Sequence, residues 1–101
     1  MTASPVVAIN RAIALAETRG APEGLAALRA LGNDRRLAQY QPYWAALASL
    51  LARNRDIDEA DRAFEQAIGL ESDPAVRGFL LRRRAELRHA ETQRPESPTS
   101  A

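Results

Sequence analysis

A chain of 101 residues with a formal charge of +1 has room for one small domain, and it lacks the bulk electrostatic attraction that would take it to nucleic acid or an anionic membrane. The absence of cysteine excludes disulfides and thiolate metal sites and leaves the redox compartment open. No apolar run approaches the length of a membrane span, and the N-terminus has no charged start before a signal-type core, so the default reading is a soluble, cytoplasmic chain.

All fourteen basic residues are arginine, and alanine and leucine dominate the apolar set. That composition favours helix throughout. The first helix is expected over about Pro5 to Thr18: Ser4 suits an N-cap, Pro5 the first turn and Gly20 the end. "RGAP" breaks it, and the second helix runs from about Pro22 to Leu31 with Leu25, Leu28 and Leu31 at helical spacing. "GNDRR" (32–36) reads as a loop that feeds a third helix over about Pro42 to Arg53. Asp56 followed by Glu59 is a capping-box-like start for the fourth, about Ile57 to Leu70. Asp73-Pro74 restarts the chain as a fifth helix ending near Ala90. Residues 92–101, "TQRPESPTSA", have nothing to bury and read as a disordered tail behind a helical domain over 1–91. No segment alternates with period two, so the expected class is all-α with about five helices.

Helices three and four carry a repeat. Trp44, Leu47, Ala48, Leu51, Ile57, Ala60, Phe64 and Ala67 fall on the spacing of a tetratricopeptide repeat. The small Ala48 and Ala60 let the helices approach, while Trp44 and Phe64 fill the space around the crossing. Sliding back 36 residues gives a weaker copy, with Ala8, Ala12 and Leu15 on the first helix and Gly24, Leu28 and Leu31 on the second. The layout is then two tetratricopeptide-like hairpins and a C-terminal capping helix. The alternative is a generic five-helix bundle.

In such repeats the first helix of each hairpin lines the concave face. By register those positions are Val6, Ile9, Ile13 and Glu17, then Pro42, Ala45, Ser49 and Arg53. Helix one must also pack on helix two, so it is apolar on two faces, and one of these has no evident partner. Stacked repeats need a cap or a neighbour at each end. Either something docks on helix one, or the loop 32–41 folds back over it. Asn10 and Arg11 form a polar stripe beside that docking face: a polar contact to a partner, an exposed stripe, or an amide buried at the hairpin.

The stretches "SPVVAINRAIALAETRGAPEGLAALRAL", "LLARNRDIDEADRAFEQAIGL" and "FLLRRRAEL" together resemble the C-terminal, tetratricopeptide-like extension of extracytoplasmic-function RNA polymerase sigma factors. Asn10 and Arg11 match the "N-R-A" of the family's first tail helix. Gly24-Leu25 matches the second-helix opening, Glu59-Ala60 and Phe64-Glu65 the following hairpin, and Phe79-Leu80 the capping helix. The chain differs from the family pattern at Arg55 (glycine there), Leu47 (arginine) and Gln41 (histidine after the loop tyrosine). The resemblance implies a regulatory or interaction module whose partners are sigma-factor domains or other RNA polymerase holoenzyme components. Sigma regions that contact promoter and polymerase are upstream in such proteins, so it also implies an excised domain or a stand-alone remnant. A free-standing adaptor or homodimer is the alternative, and a small-molecule sensor near Tyr40, Tyr43 and Trp44 a third.

Other features read more plainly. Helix five carries Arg77, Arg82, Arg83, Arg84 and Arg88 against Glu86 and Glu91. Without interleaved aromatics or a reading element it is a solvated face whose stems cover Phe79, Leu80 and Leu87, and no direct DNA reading is expected. His89, the only histidine, has no converging ligands and fits a helix C-terminal dipole contact. No serine has a nucleophile–base arrangement, so neither catalysis nor a cofactor is expected.

Overall fold

The computed structural model describes residues 4–93. Among the described residues it contains five helices and no strand: α1 (Pro5–Arg19), α2 (Ala21–Ala30), α3 (Gln41–Arg53), α4 (Ile57–Leu70) and α5 (Pro74–Gln93). The all-α expectation is met. Thr92 and Gln93, read from the sequence as the start of a tail, belong to α5; the rest of that tail lies outside the described residues. His89 therefore falls short of the last turn of α5, which has no basic residue, so the expected dipole contact is not made there.

Local chemistry sets the helix ends. The Val6 N–H donates to Ser4 Oγ at 3.2 Å with Pro5 behind it, so one otherwise orphaned amide is satisfied and the missing one costs nothing. Gly20 closes α1 at φ +104°, a conformation an L side chain rarely adopts, and its N–H donates to Ala16 O at 3.0 Å. Asp56 departs from expectation. Its side chain caps no α4 amide and instead accepts from Asn54 Nδ2 at 2.8 Å. The turn before it closes through the backbone, with Asp56 N–H donating to Leu51 O at 2.9 Å and Arg55 in the left-handed region at φ +66°.

α1 packs on α2 and α3 on α4 as two hairpins, α2 joins them by packing on α3, and α5 packs on α4. Ala12, Leu28, Ala48, Leu51, Ala60 and Ala67 are each 0 % exposed and Phe64 1 %, so small residues at the crossings and large ones beside them make a continuous core. At the first crossing Gly24 is required by contact: a Cβ there would stand 2.6 Å from Ala16 Cβ and 2.8 Å from Ala12 O. Leu47 is also buried, but Trp44 is only half-buried, and the aromatic that sinks into the core beside it is Tyr43. Trp44 stands edge-on to Tyr43, with ring centroids 5.3 Å apart, and its indole N–H donates to Ala38 O at 3.0 Å. The tryptophan thus ties the connection down instead of filling the crossing.

That connection is more ordered than "GNDRR" suggests. Arg35–Leu37 form a 3-10 turn that buries Leu37, and Asp34 caps it by accepting from the Arg36 N–H at 2.9 Å. The Arg36 guanidinium grips the same carboxylate, which lowers the Asp34 pKa to about 2.

Candidate interaction groove

The first helices of the two hairpins, α1 and α3, stand side by side, and between them runs an open groove of about 440 Å³. Six of the eight positions assigned to the concave face line it: Ile9 and Ile13 from α1, and Pro42, Ala45, Ser49 and Arg53 from α3. Asn10, Gln41, Ala46 and Leu50 complete the lining. Ala46 and Leu50 are one helical turn apart, a spacing visible in the sequence, but only the tilt of α3 decides that they, as well as Ala45 and Ser49, reach the groove.

Glu17 marks one end. Its carboxylate meets Arg53 Nη1 at 3.2 Å across 36 positions of chain, the offset of the repeat itself. The pair joins equivalent positions of α1 and α3. With 45 % of the Arg53 side chain and 64 % of that of Glu17 exposed, it orients the rim and contributes little to stability. Val6 is 47 % exposed at the other end of α1, beside Val7 at 49 %. Arg11 is exposed and does not line the groove. Asn10 is exposed at the rim, so the buried-amide reading does not hold.

Ile9 needs correction as a docking residue. It is 4 % exposed and belongs to the core, so it forms the floor of the groove, not a free contact. The inner apolar face of α1 is accordingly not unpartnered: α1 packs on α3 as well as on α2, and Ile13 is half-buried against the same core. The connecting loop does not supply this cover, since of the stretch 32–41 only Gln41 lines the groove. Tyr40, Tyr43 and Trp44 also lie outside it. Burial raises the Tyr43 hydroxyl pKa, consistent with a packed aromatic, not a ligand-facing one.

A feature the sequence reading missed lies between α4 and α5. Arg84 donates to both oxygens of Asp61, Nε at 2.8 Å and Nη2 at 3.2 Å, and Arg88 stands 3.5 Å from the same carboxylate. The arginine hydrogen bonds lower the Asp61 pKa. Part of the arginine-rich face of α5 is thus a structural clamp. The Arg83 guanidinium lies between Phe64 and Phe79, 5.9 and 5.8 Å from the ring centroids; Phe79 is nonetheless 49 % exposed, while Leu80 and Leu87 belong to the core, so the expected cover of Phe79 by arginine stems is incomplete.

Among the described residues no three His, Asp or Glu side chains converge as a metal site would require, and no helix is long and apolar enough to cross a membrane. Comparison with family models, curated proteins and solved structures finds no match to this chain.

Proposed function

We propose that this domain is a non-catalytic docking module that works within, or on, an extracytoplasmic-function RNA polymerase sigma factor and modulates transcription initiation through protein contacts. The observation that carries the reading is the open groove between α1 and α3, with an apolar floor and a polar rim and lined by the first helices of both hairpins. The resemblance of residues 4–87 to the tail of such sigma factors supplies the partner. The exposed Val6 and Val7 at the start of α1 extend the contact surface toward a preceding domain, and occupation of the groove changes sigma competence.

Calorimetric titration of the chain with the promoter- and polymerase-binding core of such a sigma factor from the same organism tests the proposal. Saturable binding that is lost in Ala45→Arg, which fills the groove, and weakened in Val6→Asp is the expected result. No binding, with the chain eluting as a concentration-dependent dimer, would replace the proposal with a free-standing adaptor. Binding indifferent to both substitutions would place the contact elsewhere and overturn it.

A further inference from the structure

The repeat register runs on into α5, and there it changes character. Thirty-six positions after Trp44 and Leu51 of α3 stand Leu80 and Leu87 of α5, both buried. Between them, at the places where α3 buries Leu47 and Ala48, α5 carries Arg83 and Arg84. Among the described side chains α3 buries six, whereas α5 buries Leu80 and Leu87 alone. Val76, Phe79 and Leu81 of α5 are 37 %, 49 % and 49 % exposed.

We infer that α5 is a latch: it swings off α4 as a unit about residues 71–73 while the two hairpins stay folded, and the Arg84–Asp61 ion pair is its catch. This goes beyond the docking reading and stands without it.

The seat of α5 is half electrostatic. Two leucines supply its apolar part, and the Arg84 guanidinium holds Asp61 with Nε at 2.8 Å and Nη2 at 3.2 Å. Water reaches that pair, since 15 % of the Asp61 side chain and 31 % of that of Arg84 are exposed. When α5 leaves, both ions recover hydration, which offsets part of the attraction lost. The hairpin crossings, closed by Ala12, Leu28, Ala48, Leu51 and Ala60 at 0 % exposure, have no such compensation, because their apolar surface would go to water. The start of α5 is also self-contained. The Ala75 N–H donates to Asp73 Oδ1 and the Arg77 N–H to Asp73 O, each at 2.9 Å, so rotation ahead of Asp73 leaves the cap and the helix intact. Opening uncovers the edge of Phe64 that Arg83 stacks on, together with Leu80 and Leu87. The chain thus trades a polar outer helix for an apolar strip.

The test is native-state hydrogen exchange of the full chain, followed amide by amide by NMR at rising urea below the unfolding midpoint. The Leu80, Arg84 and Leu87 amides are expected to exchange at least tenfold faster than those of Leu28, Leu50 and Leu51. They should share one urea slope, shallower than that of the hairpin amides, because a local opening exposes less surface. Asp61→Asn should speed the α5 amides about fivefold. Gly24→Ala strains the first hairpin equally with α5 seated or released, so it should speed the hairpin amides and leave those of α5 unchanged. If the α5 amides match the hairpins in rate and urea slope, or quicken with Gly24→Ala, α5 unfolds only with the hairpins and the latch is overturned. The slopes of the unaltered chain decide that without any variant. If α5 opens by itself but is indifferent to Asp61→Asn, the ion pair is overturned as the catch.

Discussion

Gly24 in the first hairpin and Ala60 in the second occupy the same place in a 36-residue unit (60 − 24), yet the two crossings are closed differently. At the first, helix meets helix so closely that a single methyl on Gly24 would run into Ala16 and the Ala12 carbonyl. At the second, Ala60 keeps its methyl, buried like Ala48, and Phe64 fills the space that Leu28 fills in the first. The turns differ in the same sense: one residue, Gly20, joins α1 to α2, whereas three residues with Arg55 at positive φ join α3 to α4. A repeat can therefore conserve its path while one copy is held by close backbone approach and the other by aromatic volume. The two hairpins meet where α2 and α1 pack on α3, and the groove is the gap between α1 and α3.

Removing the aromatic should break the second hairpin most severely. Phe64→Ala is expected to cost about 3–5 kcal/mol, partly by leaving Arg83 with one ring instead of two, and urea denaturation would read it as a lower midpoint. A surviving midpoint would mean that the second crossing does not depend on aromatic volume.

Gly24→Ala tests the first hairpin by making it resemble the second. Because the added methyl meets backbone as well as side chain, a loss of about 1–3 kcal/mol is expected. Thermal unfolding should show it, together with shifted amide resonances along the α1 side of the groove. The reverse exchange, Ala60→Gly, should cost only about 1 kcal/mol. Equal effects of the two would mean that both crossings tolerate a methyl alike.

The two hairpins also differ in pH response. Asp61 stands where the first hairpin has the buried Leu25 (61 − 36). Its folded pKa is depressed by the Arg84 hydrogen bonds. The stabilisation is thus fully present above the unfolded carboxylate value of about 4 and is lost as pH falls through the lower folded value. Asp61→Asn should cost about 1 kcal/mol at neutral pH and flatten the decline in stability below about pH 4. Asp34, also depressed, remains to give a residual slope. An unchanged acid profile in the variant would remove Asp61 as a source.

The smallest effect concerns the turns. Arg55→Gly relieves a left-handed side chain at φ +66° and should raise stability by about 0.5–1 kcal/mol, the relief of strain exceeding the added freedom of the unfolded chain. A differential scanning measurement would resolve the rise; a fall would mean that the arginine side chain holds the turn in some other way.

Helix existence, order and most boundaries were legible because each helix carries its own punctuation: Ser4-Pro5, Gly20, Pro42 and Pro74 act through local backbone chemistry. The period of the repeat was legible for a related reason, since the small residues at the crossings, Ala12, Gly24, Ala48 and Ala60, recur at a fixed offset. Asp56 misled because a capping pattern competes with the Asn54 amide two residues away, and sequence spacing does not say which partner wins. Arg84 and Asp61 are 23 positions apart, and no local pattern links them.

The sequence by itself determined that this chain is helical, where it turns and which residues repeat, because those properties depend on neighbours within a few positions. Only the tertiary structure decided what the repeated faces do. It sank Ile9 into the floor while leaving Val6 exposed, drew Asn10 and Gln41 to one groove and paired Glu17 with Arg53 at its end. Helix tilt and separation set those outcomes, and both depend on the volumes packed at distant crossings.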